Sequence, residues 1–486
     1  MALLALCAAL LTAAFTGSGP PRSMAGAARS VSGPAADVST ELTGGQGVFI
    51  GSPIPVDLAR AAYVQHEYAA AGTATSYLAS GPLGRDGRWA LAPDARAAYR
   101  TRVLVRRPAS RARFSGTVVV EWLNVSGGVD ADPDWATLHE EILRRGDAWV
   151  GVSAQRIGVV GGPVLVTVNV PGAEAAGKGL VAIDPARYGT LAHPGDGFSF
   201  DIFTQVARAL RSGGALGGLH PKRLIAAGES QSAFAMVTYY DGVQPLTHAF
   251  DGFFVHSRGA IGLPLVAAGQ YADIAHAISG TPSIFRTDQA APVMDVQTET
   301  DVASILDSYA ARQPDSARFR LWEVPGTAHA DAHLLGANVA YLDCGVPVNN
   351  GPLHVVAKAA LHALETWLST GAAPVHAARI DVVAGARPQI QRTADGIALG
   401  GVRTPPVDVP VAALSGNPGP NPSTICLLLG STTPFPASRI AQLYPSRAPY
   451  LRRFTADAGA AIRAGFVLRA DRSALLGFAD PSRVGP

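Results

Sequence analysis

The sequence predicts an α/β protein with a mostly parallel central sheet flanked by helices. Residues 117–124 (TVVVEWLN) are almost continuously apolar, as in a strand that is covered on both faces. An amphipathic helix at 135–145 and a second apolar strand at 149–153 follow. Because helix and strand alternate again between 198 and 256, the strands are expected to run parallel, with helices on both faces.

The remaining elements follow from the same two periodicities. Further strands are predicted at 98–106, 223–227, 250–256, 292–297 and 318–324, and further helices at 198–210, 233–240, 302–309 and 355–368. Between them, 157–196 is apolar and broken by glycines, and it is expected to be an insertion or an excursion at the sheet edge. A lid-type insertion over the site is expected at about 259–290. The Pro- and Gly-rich extension 373–486 either wraps the main body or forms a small appendage.

Composition and charge exclude some classes of protein. A chain of 486 residues with 48% hydrophobic and 16% charged residues can bury a large core. The 39 basic and 37 acidic residues give a net charge of +2 and no basic patch for nucleic acid, so a small-molecule substrate is expected. No motif calls for a cofactor, and no cluster of metal-ligating residues is visible.

The first residues resemble a secretory signal peptide. Residues 2–15 are Ala, Leu, Cys, Thr and Phe, and a Gly, Ser and Pro-containing stretch follows at 16–22. The apolar run is shorter than the about 20 residues that span a bilayer, and no other segment is a better candidate for a membrane span. A signal peptide at 1–27 is therefore predicted, with a secreted or periplasmic mature protein.

Two cysteines remain beyond this leader, Cys344 and Cys426. An even number of cysteines in an exported chain indicates a disulfide, and two free buried thiols are the alternative. A pair without Cys-x-x-Cys spacing cannot form a zinc site by itself.

The pentapeptide Gly-Glu-Ser-Gln-Ser at 228–232 lies between a predicted strand and a predicted helix. A serine at such a sharp turn, called a nucleophile elbow, presents its Oγ clear of the sheet. The backbone N–H of the next residue then points to where an oxyanion forms. Ser230 is therefore the candidate nucleophile and Gln231 a candidate oxyanion donor. Ser232 stands where a second glycine is usual.

A serine hydroxyl needs a general base and an acid that orients the base. In an elbow-bearing α/β fold these residues follow in the chain order serine, acid, histidine, each after a later strand. His329 follows the strand 318–324 and is the candidate base, with His333 in reserve. Asp301 and Glu299 both follow the strand 292–297; Asp301 is preferred as the acid, and Glu299 stays open.

A second oxyanion donor is expected after an early strand. Asn124 and Val125, which end the strand 117–124 and precede Ser126, have the best position. Glu121 lies within the same apolar strand, where a carboxylate is costly unless it is hydrogen-bonded, so it is expected to be a satisfied structural acid.

With these residues assigned, the chain resembles the α/β-hydrolase superfamily, and more narrowly a family of bacterial, often exported α/β-hydrolase domain proteins of serine esterase type. The segments that carry the resemblance are VEWLNVSGG (120–128), GVSAQ (151–155), DPARYG (184–189), HPGD (193–196), GESQSA (228–233), QTETD (297–301), RLWEVPGTAHAD (320–331) and GGVRTPPVDVP (400–410). The resemblance implies a single α/β-hydrolase domain over 45–486 that includes the C-terminal extension. It also implies hydrolysis of carboxylic esters.

The sequence thus predicts a secreted serine hydrolase that forms an acyl-enzyme on Ser230 and acts on a small-molecule ester. Two alternatives stay open: an acyltransferase that uses the same three residues, and a catalytically silent α/β-hydrolase fold that binds a ligand or partner. Fold and triad are shared by many activities, so the substrate does not follow from them. Nothing in the sequence indicates an oligomeric state.

Overall fold

A nine-stranded sheet runs through the part of the chain that the computed structural model describes, namely residues 33–51, 55–273, 275, 280–385 and 388–486. Its strands are β1 (Asp37–Glu41), β2 (Tyr63–Ala79), β3 (Leu91–Pro108), β4 (Thr117–Trp122), β5 (Ala148–Val152), β6 (Arg223–Glu229), β7 (Gly252–His256), β8 (Val293–Thr298) and β9 (Phe319–Val324). The predicted leader 1–27 lies outside the described residues.

The strand order explains why the predicted site residues can meet. The sheet runs β1-β2-β3-β5-β4-β6-β7-β8-β9; β1, β2 and β3 are antiparallel to their neighbours, and all pairs from β5 to β9 are parallel. The carboxyl ends of β4, β6, β8 and β9 therefore lie at one edge of the sheet, where ligands bind in open α/β sheets. The predicted mostly parallel α/β class is confirmed.

Helices cover both faces of this sheet. Those before β8 are α1 (Pro133–Arg145), α2 (Arg156–Val160), α3 (Gly179–Ile183), α4 (Pro185–Tyr188), α5 (Ser199–Arg211), α6 (Gln231–Thr238) and α7 (Gln244–Thr247). Those after it are α8 (Glu299–Ala303), α9 (Ala332–Leu335), α10 (Leu353–Thr370), α11 (Pro405–Asp408), α12 (Ala437–Leu443), α13 (Arg447–Arg463) and α14 (Arg472–Leu476). Within the described ranges, no helix combines the length and the apolar character needed to cross a membrane.

Two apolar layers hold the helices on the sheet. On one face, α5 and α6 pack in a core that includes Trp122, Phe203 and Met236. On the other face, α1 and α10 pack around Trp149 and Trp322. Strands buried on both faces need apolar residues at successive positions, which is why β4 to β9 were recognisable in the sequence.

The long antiparallel hairpin of β2 and β3 is only half predicted by the sequence, which indicated a strand at 98–106 and none at 63–79. Strand β2 reads YVQHEYAAAGTATSYLA, in which the small-residue run 69–72 interrupts the branched and aromatic residues that mark a strand. It pairs with β3 from Tyr63 to Ala79. Long-range pairing therefore determines this strand, and local propensity contributes little.

A buried ion cluster ties this hairpin to the loop that follows β4. The Arg102 guanidinium donates to Glu67 Oε1 at 3.1 Å and to Asp130 Oδ2 at 2.7 Å, and all three side chains are fully buried. Asp130 belongs to the loop after β4, next to Ala131, whose backbone pairs with Asn124. The cluster thus holds that loop against the sheet, close to the candidate site.

The C-terminal extension packs on the same body: all described residues belong to one compact unit. Besides α11 to α14 it contains two small antiparallel pairs, β10 (Val382–Val383) with β11 (Gln389–Ile390), and β12 (Ala412–Ser415) with β13 (Ser431–Pro434). Cys344 and Cys426 form a disulfide, with their Cα atoms 5.4 Å apart, which attaches the extension to the segment after α9.

Candidate active site

Ser230 occupies a strained turn between β6 and α6. Its backbone φ of 56° and ψ of −119° is a conformation that non-glycine residues rarely adopt. Strand and helix cross so closely here that a Cβ on Gly228 would lie 2.6 Å from the carbonyl oxygen of Ser232. Such strain is typical of a nucleophile elbow, and it directs the Ser230 side chain toward the edge of the sheet.

His329 and Asp301 lie beside Ser230 in a hydrogen-bonded chain. The distance from His329 Nε2 to Ser230 Oγ is 2.7 Å, and that from His329 Nδ1 to Asp301 Oδ1 is also 2.7 Å. His329 belongs to the loop after β9 and Asp301 to the first turn of α8, so three separate strand ends supply the three groups. The fold thus brings together Ser230, His329 and Asp301, the three residues that the sequence predicted for a triad.

Asp301 is held by the helix that contains it. Thr298 is the N-cap of α8, its Oγ1 accepts from Asp301 N–H, and Asp301 Oδ2 accepts from Thr298 N–H at 2.7 Å. The sequence predicted that this helix starts at 302. Helix α8 instead starts at Glu299, because the capping box begins one turn earlier. One carboxylate oxygen fixes the cap while the other faces His329.

Glu299, the alternative acid, is engaged elsewhere. Its Oε2 accepts from Gly326 N–H at 2.7 Å, and its Oε1 accepts from Gly416 N–H at 2.8 Å and forms an ion pair with Arg392 at 2.5 Å. These contacts join the loop after β9 to the C-terminal extension. The described contacts of Glu299 thus give it a structural role, and they direct its carboxylate away from His329.

The predicted oxyanion donors are only partly available. Gln231 is the first residue of α6, so its N–H has no acceptor within the helix. Val125 N–H donates to Gln231 Oε1 at 3.1 Å, and Asn124 Nδ2 donates to the backbone oxygen of Glu229 at 3.0 Å. The backbone N–H of Asn124 pairs with Ala131. In this conformation neither Asn124 nor Val125 presents an unengaged donor, and their role as oxyanion donors stays a prediction.

Glu121 is a satisfied structural acid, as expected. Its carboxylate accepts from the backbone N–H groups of Asp134 and Trp135 and from Trp149 Nε1, at 2.8–2.9 Å. Burial, together with Asp134 and Asp132 nearby, raises its pKa well above the usual value. The carboxylate thus caps the start of α1 beneath the site.

Two groups near Ser230, Glu229 and His256, have no catalytic role in the sequence prediction. Glu229 Oε1 lies 3.6 Å from His329 Nε2, and the residue is 4% exposed. His256, at the end of β7, contacts Asp134 Oδ1 through Nδ1 at 3.1 Å. The position of Glu229 next to Ser230 in the chain and that of His256 at a strand end were the available signals, but the pairing of His256 with Asp134 depends on the fold.

The electrostatics of these groups are opposed. Burial lowers the pKa of His329, but Asp301 and Glu229 outweigh it, so the net direction is upward. Burial raises the pKa of Glu229 to about 7, although His329 and His256 act in the opposite sense. For His256, burial is likewise outweighed by Asp134, and its pKa is raised. The carboxylates of Asp301, Glu229 and Asp134 therefore all favour the protonated forms of the two histidines.

A cavity of about 620 Å³ opens beside Ser230 and His329. Its walls come from the loop after β4, from residues 166–173, from the region around α9, and from Ile425 and Leu428 of the C-terminal extension. The last two flank Cys426, so the disulfide anchors one wall. The insertion 157–196, which the sequence could not assign, supplies much of the cover.

The expectation of a lid at 259–290 is corrected for the described residues of that segment, which do not line this cavity. Ile261, Leu263 and Phe285 are buried in the core that contains α6. Leu263 N–H donates to Phe234 O, and Arg286 N–H donates to Asp241 Oδ1. Because its apolar side chains complete the core, this part of the insertion is a packing element.

A family model and several solved structures are similar to this chain, whereas no curated protein matches it. Among solved structures it is similar to an a/b serine hydrolase without lid from Xanthomonas campestris, with 14% identity, coverage of 60% of this chain and 95% of that chain, and a TM-score of 0.29. A thermostable esterase from Pseudomonas putida matches with 16% identity, 43% and 47% coverage, and a TM-score of 0.22.

At these identities and TM-scores the similar structures say nothing about substrate. The family model described as "Alpha/beta hydrolase domain" matches residues 31–477, which is most of the chain and includes the greater part of the C-terminal extension. This match confirms the resemblance seen in the sequence motifs. The chain belongs to the alpha/beta hydrolase domain family.

Proposed function

We propose that the protein is a serine hydrolase that cleaves carboxylic esters through an acyl-enzyme on Ser230. One observation carries the proposal: Ser230 Oγ, His329 and Asp301 form a continuous hydrogen-bonded chain, with 2.7 Å at each step, and Ser230 and His329 line a cavity. A serine activated by a positioned imidazole, itself oriented by a buried carboxylate, is suited to acyl transfer.

The geometry supports a two-step reaction. Ser230 Oγ attacks the ester carbonyl while His329 Nε2 takes its proton, and Gln231 N–H stabilises the oxyanion. The tetrahedral intermediate collapses as His329 returns the proton to the departing alcohol, which leaves an ester on Ser230. Water, deprotonated by His329, then releases the acid and restores the serine. Asp301 holds the imidazole in the tautomer that accepts at Nε2.

Labelling with a fluorophosphonate probe tests the nucleophile. The wild-type protein should be labelled and Ser230→Ala should not, while Ser232→Ala serves as the matched control, because it removes a neighbouring buried hydroxyl from the same turn. Circular dichroism confirms that each variant is folded. Labelling that survives in Ser230→Ala would remove Ser230 from its role.

The same assay separates the two alternatives. Folded wild-type protein that is neither labelled nor active on nitrophenyl esters would indicate a catalytically silent binding fold. An acyltransferase would be labelled, but it would transfer the acyl group to an added alcohol in preference to water, which product analysis by mass spectrometry detects.

We propose further that the protein is exported and that residues 1–27 are its leader. The disulfide Cys344–Cys426 supports this, because structural disulfides persist in oxidising compartments. Expression of the full chain and of a chain from residue 28, followed by fractionation, tests it. Equal retention of both forms in the cytoplasm, with free thiols, would contradict the proposal.

A further inference from the structure

The walls of the cavity beside Ser230 are mainly apolar. They include Phe49, Ile50, Val166, Val168, Leu335 and Ile425. A volume of about 620 Å³ is in the range that accommodates a small organic molecule. Groups that enter this space exchange water for hydrocarbon, which favours apolar acyl or alcohol portions and penalises charged ones.

The charges at the cavity are unbalanced. Among the described residues that line it, none is lysine or arginine. The charged or titratable ones are Asp132, Glu229 and His329, and Asp132 is paired with the buried Arg106 at 2.5 Å. A substrate carboxylate or phosphate would therefore meet no lysine or arginine on these walls.

Glu229 is the carboxylate in excess around the nucleophile. Protonated His329 is shared with Asp301, and protonated His256 is shared with Asp134. Each of those pairs is neutral only while its histidine is protonated. When His329 is neutral, as it must be to accept the proton of Ser230, its pair with Asp301 is anionic, but Glu229 lines the cavity and Asp301 does not, so an ionised Glu229 presents its negative charge to the substrate. Its neighbour on the other side, Asn124, offers only a neutral amide, at 3.3 Å from Oε2.

We infer that the substrate is an uncharged, apolar ester and that Glu229 is a specificity-determining residue that excludes esters bearing an anionic group near the reacting carbonyl. This inference rests on the proposed function. Because burial raises the pKa of Glu229 to about 7, the exclusion should be strongest in mildly alkaline solution and should weaken as the carboxyl is protonated.

A matched pair of substrates tests the inference: methyl 4-nitrophenyl glutarate, which is neutral, and mono-4-nitrophenyl glutarate, which has a free carboxylate. At about pH 8 the wild-type kcat/KM should favour the neutral ester by about tenfold or more, as expected for two charges within several ångströms in a partly desolvated site. The ratio should shrink at about pH 6, where the substrate carboxylate is still ionised.

Two variants assign the effect to Glu229. Glu229→Gln should lower the ratio several-fold, whatever its effect on the overall rate, and leave only the preference that the apolar walls produce. Glu174→Gln removes the same charge from an exposed position next to the cavity wall and should keep the wild-type ratio. If Glu229→Gln fails to fold, the pH dependence of the wild-type ratio remains as the test.

Equal turnover of both esters by the wild type, or a ratio that is the same in Glu229→Gln and independent of pH, would overturn the inference. An equal loss of selectivity in Glu174→Gln would also overturn it, since a general field effect would then be responsible. These outcomes differ from failure of the proposed function, in which neither ester is cleaved and the fluorophosphonate does not label Ser230.

Discussion

Replacing Asp301 by asparagine should abolish most of the turnover while leaving the protein folded. The side chain keeps its size, and one of its oxygens is needed to accept from Thr298 N–H at the start of α8. The amide oxygen should therefore stay on Thr298, and the amide nitrogen should face His329 Nδ1. A donor at that position favours the imidazole tautomer with its proton on Nε2, which cannot accept the proton of Ser230.

The size of the effect follows from this change of tautomer. In serine–histidine–aspartate sites the loss of the correct tautomer costs about 10⁴-fold in kcat, which corresponds to about 5.5 kcal/mol on the activation barrier. The Asp301 carboxylate is 2.7 Å from His329 and completely buried, so solvent cannot replace it. A loss near the full value is therefore expected.

The assay is kcat for 4-nitrophenyl butyrate, with Glu299→Gln as the matched control. That variant weakens the buried hydrogen bonds from Gly326 and Gly416 and removes the ion pair with Arg392, so it should lower the free energy of unfolding by about 3 kcal/mol. Its turnover should stay within about tenfold of wild type. If folded Glu299→Gln is inactive and Asp301→Asn retains full turnover, the assignment of the acid is reversed.

Three further expectations concern pH, stability and the elbow. His329 accepts a proton only when neutral, and its pKa is raised from 6.5, so kcat/KM for a neutral ester should fall toward acid with a midpoint above that value; a lower midpoint would contradict the reasoning. Arg102→Met leaves two buried carboxylates without this partner and should lower the free energy of unfolding in urea by about 3–5 kcal/mol; an unchanged midpoint would refute this. Gly228→Ala places a Cβ 2.6 Å from the backbone oxygen of α6 and should slow fluorophosphonate labelling by about tenfold or more, whereas Gly81→Ala, with open space around it, should label normally.

Much of the sheet could be predicted because its strands are buried on both faces. Strands β4 and β6 require continuous apolar residues, and these residues are visible in the sequence without knowledge of the neighbouring strands. Strand β2 could not be found in the same way, because the alanines and glycine at 69–72 carry no strand signal and are held in the strand by pairing with β3. Local propensity is a weak signal when pairing supplies the stabilisation.

The choice between the two candidate acids also needed the fold. Asp301 and Glu299 are two residues apart, and both follow β8, so their distances along the chain are almost the same. The capping box of α8 directs Asp301 to His329, whereas Gly416 and Arg392, which are far away in the sequence, engage Glu299.

The sequence by itself determined the α/β class, the turn that contains Ser230 and the order in which Asp301 and His329 follow it. These features depend on residues close in the chain: apolar runs, glycine at a tight turn, and polar residues just after a strand. Only the tertiary structure decided what covers the site and what surrounds Ser230. The wall from residues 166–173, the engaged N–H of Val125 and the position of Glu229 beside His329 all result from contacts between distant segments, and such contacts leave no periodic pattern in the sequence.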